Sequence, residues 1–198
     1  MRPTLYYIRH GLTDWNIEGR LQGGRDTPLN DRGRAQAADS GGILRDLLSR
    51  EARAPDDFHY VSSTLVRASE TMEIVRKALG LPTDGYARDE RLKEIAFGEW
   101  EGLTYLDIVK RDRTIVDARE HRKWGFRPPG GETYGEVAER VGAWHATLTR
   151  DTVVTAHGGT GRALVAYLGV AAPDAAVHEP IEQGCVYVFT GNEMTRYA

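Results

Sequence analysis

The chain has 198 residues, 28% of them charged, and a formal net charge of −3. That is ordinary for a soluble globular chain with a substantial core, and it speaks against general binding to nucleic acid or anionic membrane. A single cysteine, Cys185, excludes an intrachain disulfide and fits a reducing, cytoplasmic location. No run is apolar and long enough to span a membrane, and the first strand starts too early to leave room for a signal peptide.

Leu5, Tyr6, Tyr7 and Ile8 form an apolar, aromatic and β-branched run that predicts a buried strand, ending in Arg9-His10-Gly11. The segment from Asp14 to Asn30, broken by Gly19, Gly23, Gly24 and Pro28, reads as an irregular polar loop. It carries Asn16, Arg20, Gln22 and Arg25, all able to donate to an anion. Asn30 or Asp31 is placed to cap a helix with Ala35, Ala38, Ile43, Leu44, Leu47 and Leu48 on its apolar face. Gly41-Gly42 weakens the middle of that helix for no reason visible in the sequence. A second strand is expected over Phe58 to Ser62. A helix should then run from Leu65 to Leu79, capped by Ser63 or Thr64 and stopped by Gly80 and Pro82.

Residues from Arg88 to Arg127 are charged and read as irregular, with one helix from Tyr105 to about Arg113. Pro128-Pro129-Gly130-Gly131 stops the chain before a helix over Thr133 to Leu148. A β-branched strand, Thr152 to Ala156, ends in His157-Gly158-Gly159, and a helix follows from Arg162 to Leu168. Val186 to Phe189 and Met194 to Tyr197 read as a terminal hairpin around Gly191-Asn192. Strands alternating with helices predict an α/β fold, a mostly parallel central sheet with helices on both faces. No linker or repeat interrupts residues 1–198, so one domain is expected.

The two strands ending at His10 and His157 finish alike, so in a parallel sheet both histidines would emerge at the same edge, where open α/β sheets bind ligands. An imidazole there has three possible tasks: base, metal ligand or nucleophile. The strand before Ser63 would deliver Arg67 to that edge. Two histidines with Arg9 and Arg67 suit a tetrahedral, doubly charged anion. Each element also has a plain structural reading. A histidine after a strand is more often structural than catalytic, and Arg67 has Glu70 and Glu73 as alternative partners. His59, His121, His145 and His178 lack such context and are assigned to surface or packing, and Cys185 to the core. Without a closely spaced His or Cys pair, zinc ranks low.

Arg9-His10-Gly11-Leu12-Thr13-Asp14-Trp15-Asn16, with Leu21-Gln22-Gly23 and Asp26-Thr27-Pro28-Leu29, resembles the histidine phosphatase (phosphoglycerate mutase-like) superfamily. The likeness resumes at Ser63 to Ala68 with Thr71, at Leu92 to Gly102, at Pro129 to Thr133 and at Ala156 to Gly159. It implies a three-layer sandwich in which His10 becomes a phosphohistidine, with Arg9, Arg67, Asn16 and His157 around the phosphoryl oxygens. Gln22 and Gly23 belong to the same phosphate-binding set, and Gly11 and Gly158 would let backbone approach the anion. Glu94 is the implied general acid, with Glu99 and Glu101 as competitors. No metal or cofactor is implied.

Within the superfamily, the compact chain and Phe97-Gly98-Glu99-Trp100-Glu101-Gly102 resemble the phosphatase branch, mutases being expected to be longer. The reading is a phosphomonoesterase acting on a small phosphorylated metabolite. A cofactor-dependent phosphoglycerate mutase is the alternative, and a non-catalytic phosphate-binding module a more distant one. Residues 103–127, rich in Lys and Arg, are expected to form a lid that suits an acidic substrate. The expected partner is that substrate, not nucleic acid or membrane, and a homodimer is left open. Thr64 and Thr133 depart from the family's usual proline and serine, and Thr64 bears on how Arg67 is presented.

Overall fold

A computed structural model describes residues 3–198. Six strands form one sheet in the order β3-β2-β4-β1-β5-β6. The strands are β1 (Leu5–Arg9), β2 (His59–Ser63), β3 (Ala87–Asp89), β4 (Thr152–Ala156), β5 (Val186–Thr190) and β6 (Glu193–Tyr197). The first four pair in parallel, whereas β5 runs antiparallel to both β1 and β6.

Successive side chains of a strand face opposite ways, and β1 shows the consequence. Tyr6 and Ile8 enter a core with Leu44 and Leu48 of α2 (Asp31–Arg50) and Met72 and Val75 of α3 (Val66–Ala78). Leu5 and Tyr7 enter a second core, with Val137, Val141 and Trp144 of α6 (Tyr134–His145) and Leu164 of α7 (Gly158–Tyr167). The remaining helices are short: α1 (Asp14–Ile17), α4 (Tyr105–Arg111), α5 (Arg113–His121) and α8 (Pro173–Ala176). This is the expected three-layer α/β sandwich. Among the described residues, no helix is long and apolar enough to cross a membrane.

The neighbours β1 and β4 send their following helices, α2 and α7, to opposite faces. The crevice that opens at such a switch point is where doubly wound sheets bind ligands. Arg9 pairs with Ala156 across the two strands, so His10 and His157 leave the sheet at the same level.

Several elements differ from the sequence reading. Part of the expected loop 14–30 is helical, because Thr13 and Asn16 build a complete capping box. Neither Ser63 nor Thr64 caps α3 as its N-cap residue; that position is Leu65, and Asp26 accepts from the Val66 N–H at 2.7 Å. Asp112, extended at φ −158°, ends the helix begun at Tyr105 and caps α5 through its side chain. α7 starts at Gly158, ahead of the expected Arg162. Gly41 finds its reason here: a Cβ would lie 2.6 Å from that of Ala78, so its absence lets α2 and α3 pack closely.

Candidate active site

At the end of β1 and β4, the imidazoles of His10 and His157 lie 5.1 Å apart between centroids. They are 2% and 0% exposed. His10 Nδ1 sits 2.7 Å from the Gly11 carbonyl oxygen. A carbonyl only accepts, so Nδ1 carries the proton and Nε2 keeps its lone pair. Burial, then the guanidiniums of Arg67 and Arg9, hold His10 well below the ordinary imidazole range, so it is neutral at pH 7. His157 is held down by burial, by Arg67 and by His10. Its Nε2 meets Ser63 Oγ at 2.8 Å, while Nδ1 is buried without a partner.

The arginines converge on the same point. Arg67, in the first turn of α3, is fully buried, yet it pairs with neither Glu70 nor Glu73. Its Nη1 and Nη2 donate to the Arg25 and Gly23 carbonyls at 2.7 and 2.9 Å, and burial lowers its pKa to about 10. Arg9 Nη1 donates to the Ile181 carbonyl at 2.8 Å. The Nε atoms of both arginines are buried without partners. Such groups carry a desolvation cost of roughly 1–3 kcal/mol each until something accepts their protons. Two buried unpartnered guanidinium N–H groups beside two buried imidazoles suit an anion.

The cavity here has a volume of about 150 Å³ and is lined by Arg9, His10, Asn16, Gln22, Arg67, Glu94 and Gly158, together with Arg20, Leu21, Phe97 and Arg162. Larger clefts of about 610 and 570 Å³ flank β3, but none of these buried unpartnered donors lines them. Most sequence-predicted residues therefore meet. Gly11, Gly23 and His157 are not among the lining residues, although the His157 ring lies 5.1 Å from that of His10. A Cβ on Gly11 would stand 2.1 Å from the Gly33 carbonyl oxygen, so the close crossing is with α2. Gly23, at φ +52°, packs against Glu101 and gives its carbonyl to Arg67. Gln22 is held through its Oε1 by the Thr27 hydroxyl.

Of the three candidate acids, Glu94 alone reaches the cavity. Its carboxylate accepts from the backbone N–H groups of Ile95 (3.0 Å), Thr160 (3.2 Å) and Gly159 (3.3 Å), at the N-terminus of α7. Glu101 is committed to the Gly24 and Phe97 N–H groups and to Arg25, and Glu99 is exposed. Arg140, paired with Glu132 at 2.9 Å, anchors the Glu94 loop through the Arg91 and Glu94 carbonyls.

Sequence reasoning missed Arg162, Ser63 as a partner of His157, and the reason for Gly159. Arg162 lies one helical turn into α7, on the side of the cavity, a placement that His-Gly-Gly followed by a helix signals once α7 is known to start at Gly158. A Cβ on Gly159 would come within 2.5 Å of Glu94 Oε1. Among the described residues, no group of three or more His, Cys, Asp or Glu is placed to hold a metal ion.

A family model described as the histidine phosphatase superfamily (branch 1) matches residues 5–197. A protein of Brucella canis named 2,3-bisphosphoglycerate-dependent phosphoglycerate mutase is 29% identical over 199 residues, covering 97% of this chain and 94% of the relative. One of the same name with the suffix 2, from Gloeobacter violaceus, is 29% identical, covering 93% and 83%. Length, expected to set mutases apart, thus does not separate this chain from the Brucella protein. Among solved structures, mycobacterial glucosyl-3-phosphoglycerate phosphatase with VO3 superposes at a TM-score of 0.82 and 27% identity, covering 98% of this chain and 96% of that one. The α-ribazole phosphatase of Shigella flexneri gives 0.78 at 26% identity, covering 97% and 93%.

Proposed function

This chain belongs to the histidine phosphatase superfamily, branch 1, and from that premise we propose that it hydrolyses small phosphomonoesters through a phosphohistidine on His10. The observation that carries the reading is the unprotonated His10 Nε2 beside two buried guanidinium N–H groups, Arg9 Nε and Arg67 Nε, that lack acceptors. In the first step the Nε2 lone pair attacks phosphorus, the ester P–O bond breaks, and the departing alkoxide takes a proton from Glu94. In the second, Glu94 removes a proton from water, whose oxygen attacks phosphorus as the N–P bond breaks, releasing phosphate and neutral His10. The arginines, Asn16 and His157 hold charge on the phosphoryl oxygens, which is most of what a loose transition state requires.

The substrate class follows from charge at the cavity wall. Arg162 and Arg20 line it beside Arg9 and Arg67. A carboxylate or second phosphate beside the ester suits this wall, as in a phosphorylated carboxylic acid or sugar phosphate. Residues 103–127, with Phe126 stacked on Trp100 and Trp124 on Tyr134, would be the lid.

The mutase reading keeps a place because the Brucella and Gloeobacter relatives carry that name. Two experiments decide. His10→Ala is expected to abolish p-nitrophenyl phosphate hydrolysis, and retained turnover would exclude the nucleophile. A labelled phosphoenzyme chased with water or with 3-phosphoglycerate should lose its label equally fast; selective transfer to phosphoglycerate would establish the mutase.

A further inference from the structure

The stretch between α8 and β5 runs beside the cavity without lining it, yet it holds three of the groups that do. The Glu179 carbonyl accepts from Arg162 Nε at 2.9 Å, and the Ile181 carbonyl accepts from Arg9 Nη1 at 2.8 Å. Gln183 Nε2 donates to Asn16 Oδ1 at 3.2 Å. The stretch is itself fixed. Gln183 forms a parallel bridge with Arg9, and Ile181 is 1% exposed. The Tyr187 hydroxyl donates to the Pro180 carbonyl at 3.1 Å and accepts from the Glu182 N–H at 2.7 Å.

Asn16 is the member whose orientation needs control, because a carboxamide turned over presents an acceptor where it had presented a donor. The Thr13 backbone N–H lies 3.1 Å from one side-chain atom of Asn16. A backbone N–H only donates, so that atom is the oxygen. The Thr13 hydroxyl at 3.2 Å and Gln183 Nε2 supply two more donors to it. Three donors on Oδ1 leave Nδ2 free on the side chain that lines the cavity.

We infer that Gln183 is a positioning residue for phosphoryl transfer: its amide locks the Asn16 carboxamide so that Nδ2 faces the phosphoryl oxygens. With the carbonyls of Glu179 and Ile181, it makes residues 179–183 the frame that aims Asn16, Arg9 and Arg162. The inference rests on the phosphatase reading, since it requires Asn16 to meet the phosphoryl group. Removing the Gln183 donor leaves Oδ1 to the two Thr13 donors alone and loosens the hold that keeps Nδ2 toward the anion. It touches neither the nucleophile nor the acid.

The test is a double-mutant cycle in the full chain, using Asn16→Ala, Gln183→Met and the pair, read as kcat/KM on p-nitrophenyl phosphate and as inhibition by orthovanadate. Asn16→Ala should lose about 10²-fold, as for an oxyanion donor. Gln183→Met should lose about tenfold, as for one hydrogen bond, and should weaken orthovanadate by a similar factor. Once Asn16 is gone Gln183 has nothing to orient, so the pair should be no worse than Asn16→Ala, within about twofold. Losses that multiply in the pair, or an unchanged Gln183→Met, would overturn the inference. So would a chain that fails to fold with both Gln183→Met and Gln183→Leu, because the other two anchors are backbone carbonyls. An Asn16→Ala enzyme of full activity beside an inactive His10→Ala enzyme defeats this inference alone. An active His10→Ala enzyme defeats the phosphatase reading beneath it.

Discussion

Replacing Arg67 by lysine keeps the charge and removes the fork. The guanidinium donates to the Gly23 and Arg25 carbonyls at 2.9 and 2.7 Å while its Nε stays unpartnered and buried. Lysine has one nitrogen for these three directions. Hydrogen bonds from a charged group contribute about 1.5–3 kcal/mol each, and a lysine that satisfies one carbonyl still forfeits the other and strands a buried oxygen. The expected loss is about 3 kcal/mol, or roughly 6–12 °C in Tm for a chain of this size. The catalytic loss is separate. If Nε meets the phosphoryl group, Arg67→Lys should also lower kcat/KM on p-nitrophenyl phosphate by about 10²-fold. Differential scanning fluorimetry and steady-state kinetics below the new Tm separate the two. A variant with the expected melting loss but activity within threefold of the parent would reduce Arg67 to a strut for the loop 22–25 and refute its place at the anion.

Three further outcomes follow from the same geometry. Burial lowers His10 and His157 in the folded state, so as pH falls below about 6.5 the unfolded chain binds protons that the folded chain refuses, and stability declines. The loss should appear as a Tm that falls as pH drops through this range and falls less steeply in His10→Asn; a flat profile would contradict neutral buried imidazoles. Glu94→Gln should lower kcat/KM, which reads the phosphorylation step, by about 10²-fold or more on an alkyl phosphate but much less on p-nitrophenyl phosphate, because a nitrophenolate leaves without a proton; equal losses in kcat/KM would remove Glu94 as the acid. Gly41→Ala should cost about 1–3 kcal/mol through overpacking against Ala78 with kcat unchanged, and an unchanged Tm would contradict the close α2–α3 approach.

The residues legible in the sequence were those whose signal is local. Buried strands followed by histidine and glycine declared themselves through the apolar run Leu5 to Ile8 in β1 and the β-branched run Thr152 to Ala156 in β4. Their pairing followed from the parallel α/β pattern. The helix over 134–145 was equally plain, with Val137, Val141 and Trp144 on one face. What escaped depends on contacts far apart in the chain. β3 is a three-residue edge strand of Ala, Arg and Asp with no apolar pattern to read. The cap on α3 comes from Asp26, 40 residues away from Val66. Gly158 to Gly161 fell outside the helix expected from Arg162, and glycine is a poor helix former, yet the packing there excludes larger residues. Gly159 abuts Glu94, and a Cβ on Gly161 would stand 3.1 Å from both Ile181 and Tyr7. Gln183 and Arg162 carry no motif at all, and only the fold brings them to the site.

The central claim is the phosphohistidine, and trapping it is the most direct measurement. Enzyme mixed with a labelled phosphomonoester, quenched in alkali within one turnover and digested, should yield one acid-labile phosphopeptide that contains His10, with none from His10→Ala. Label on His157, label on another residue, or full turnover without any phosphoenzyme would contradict the account.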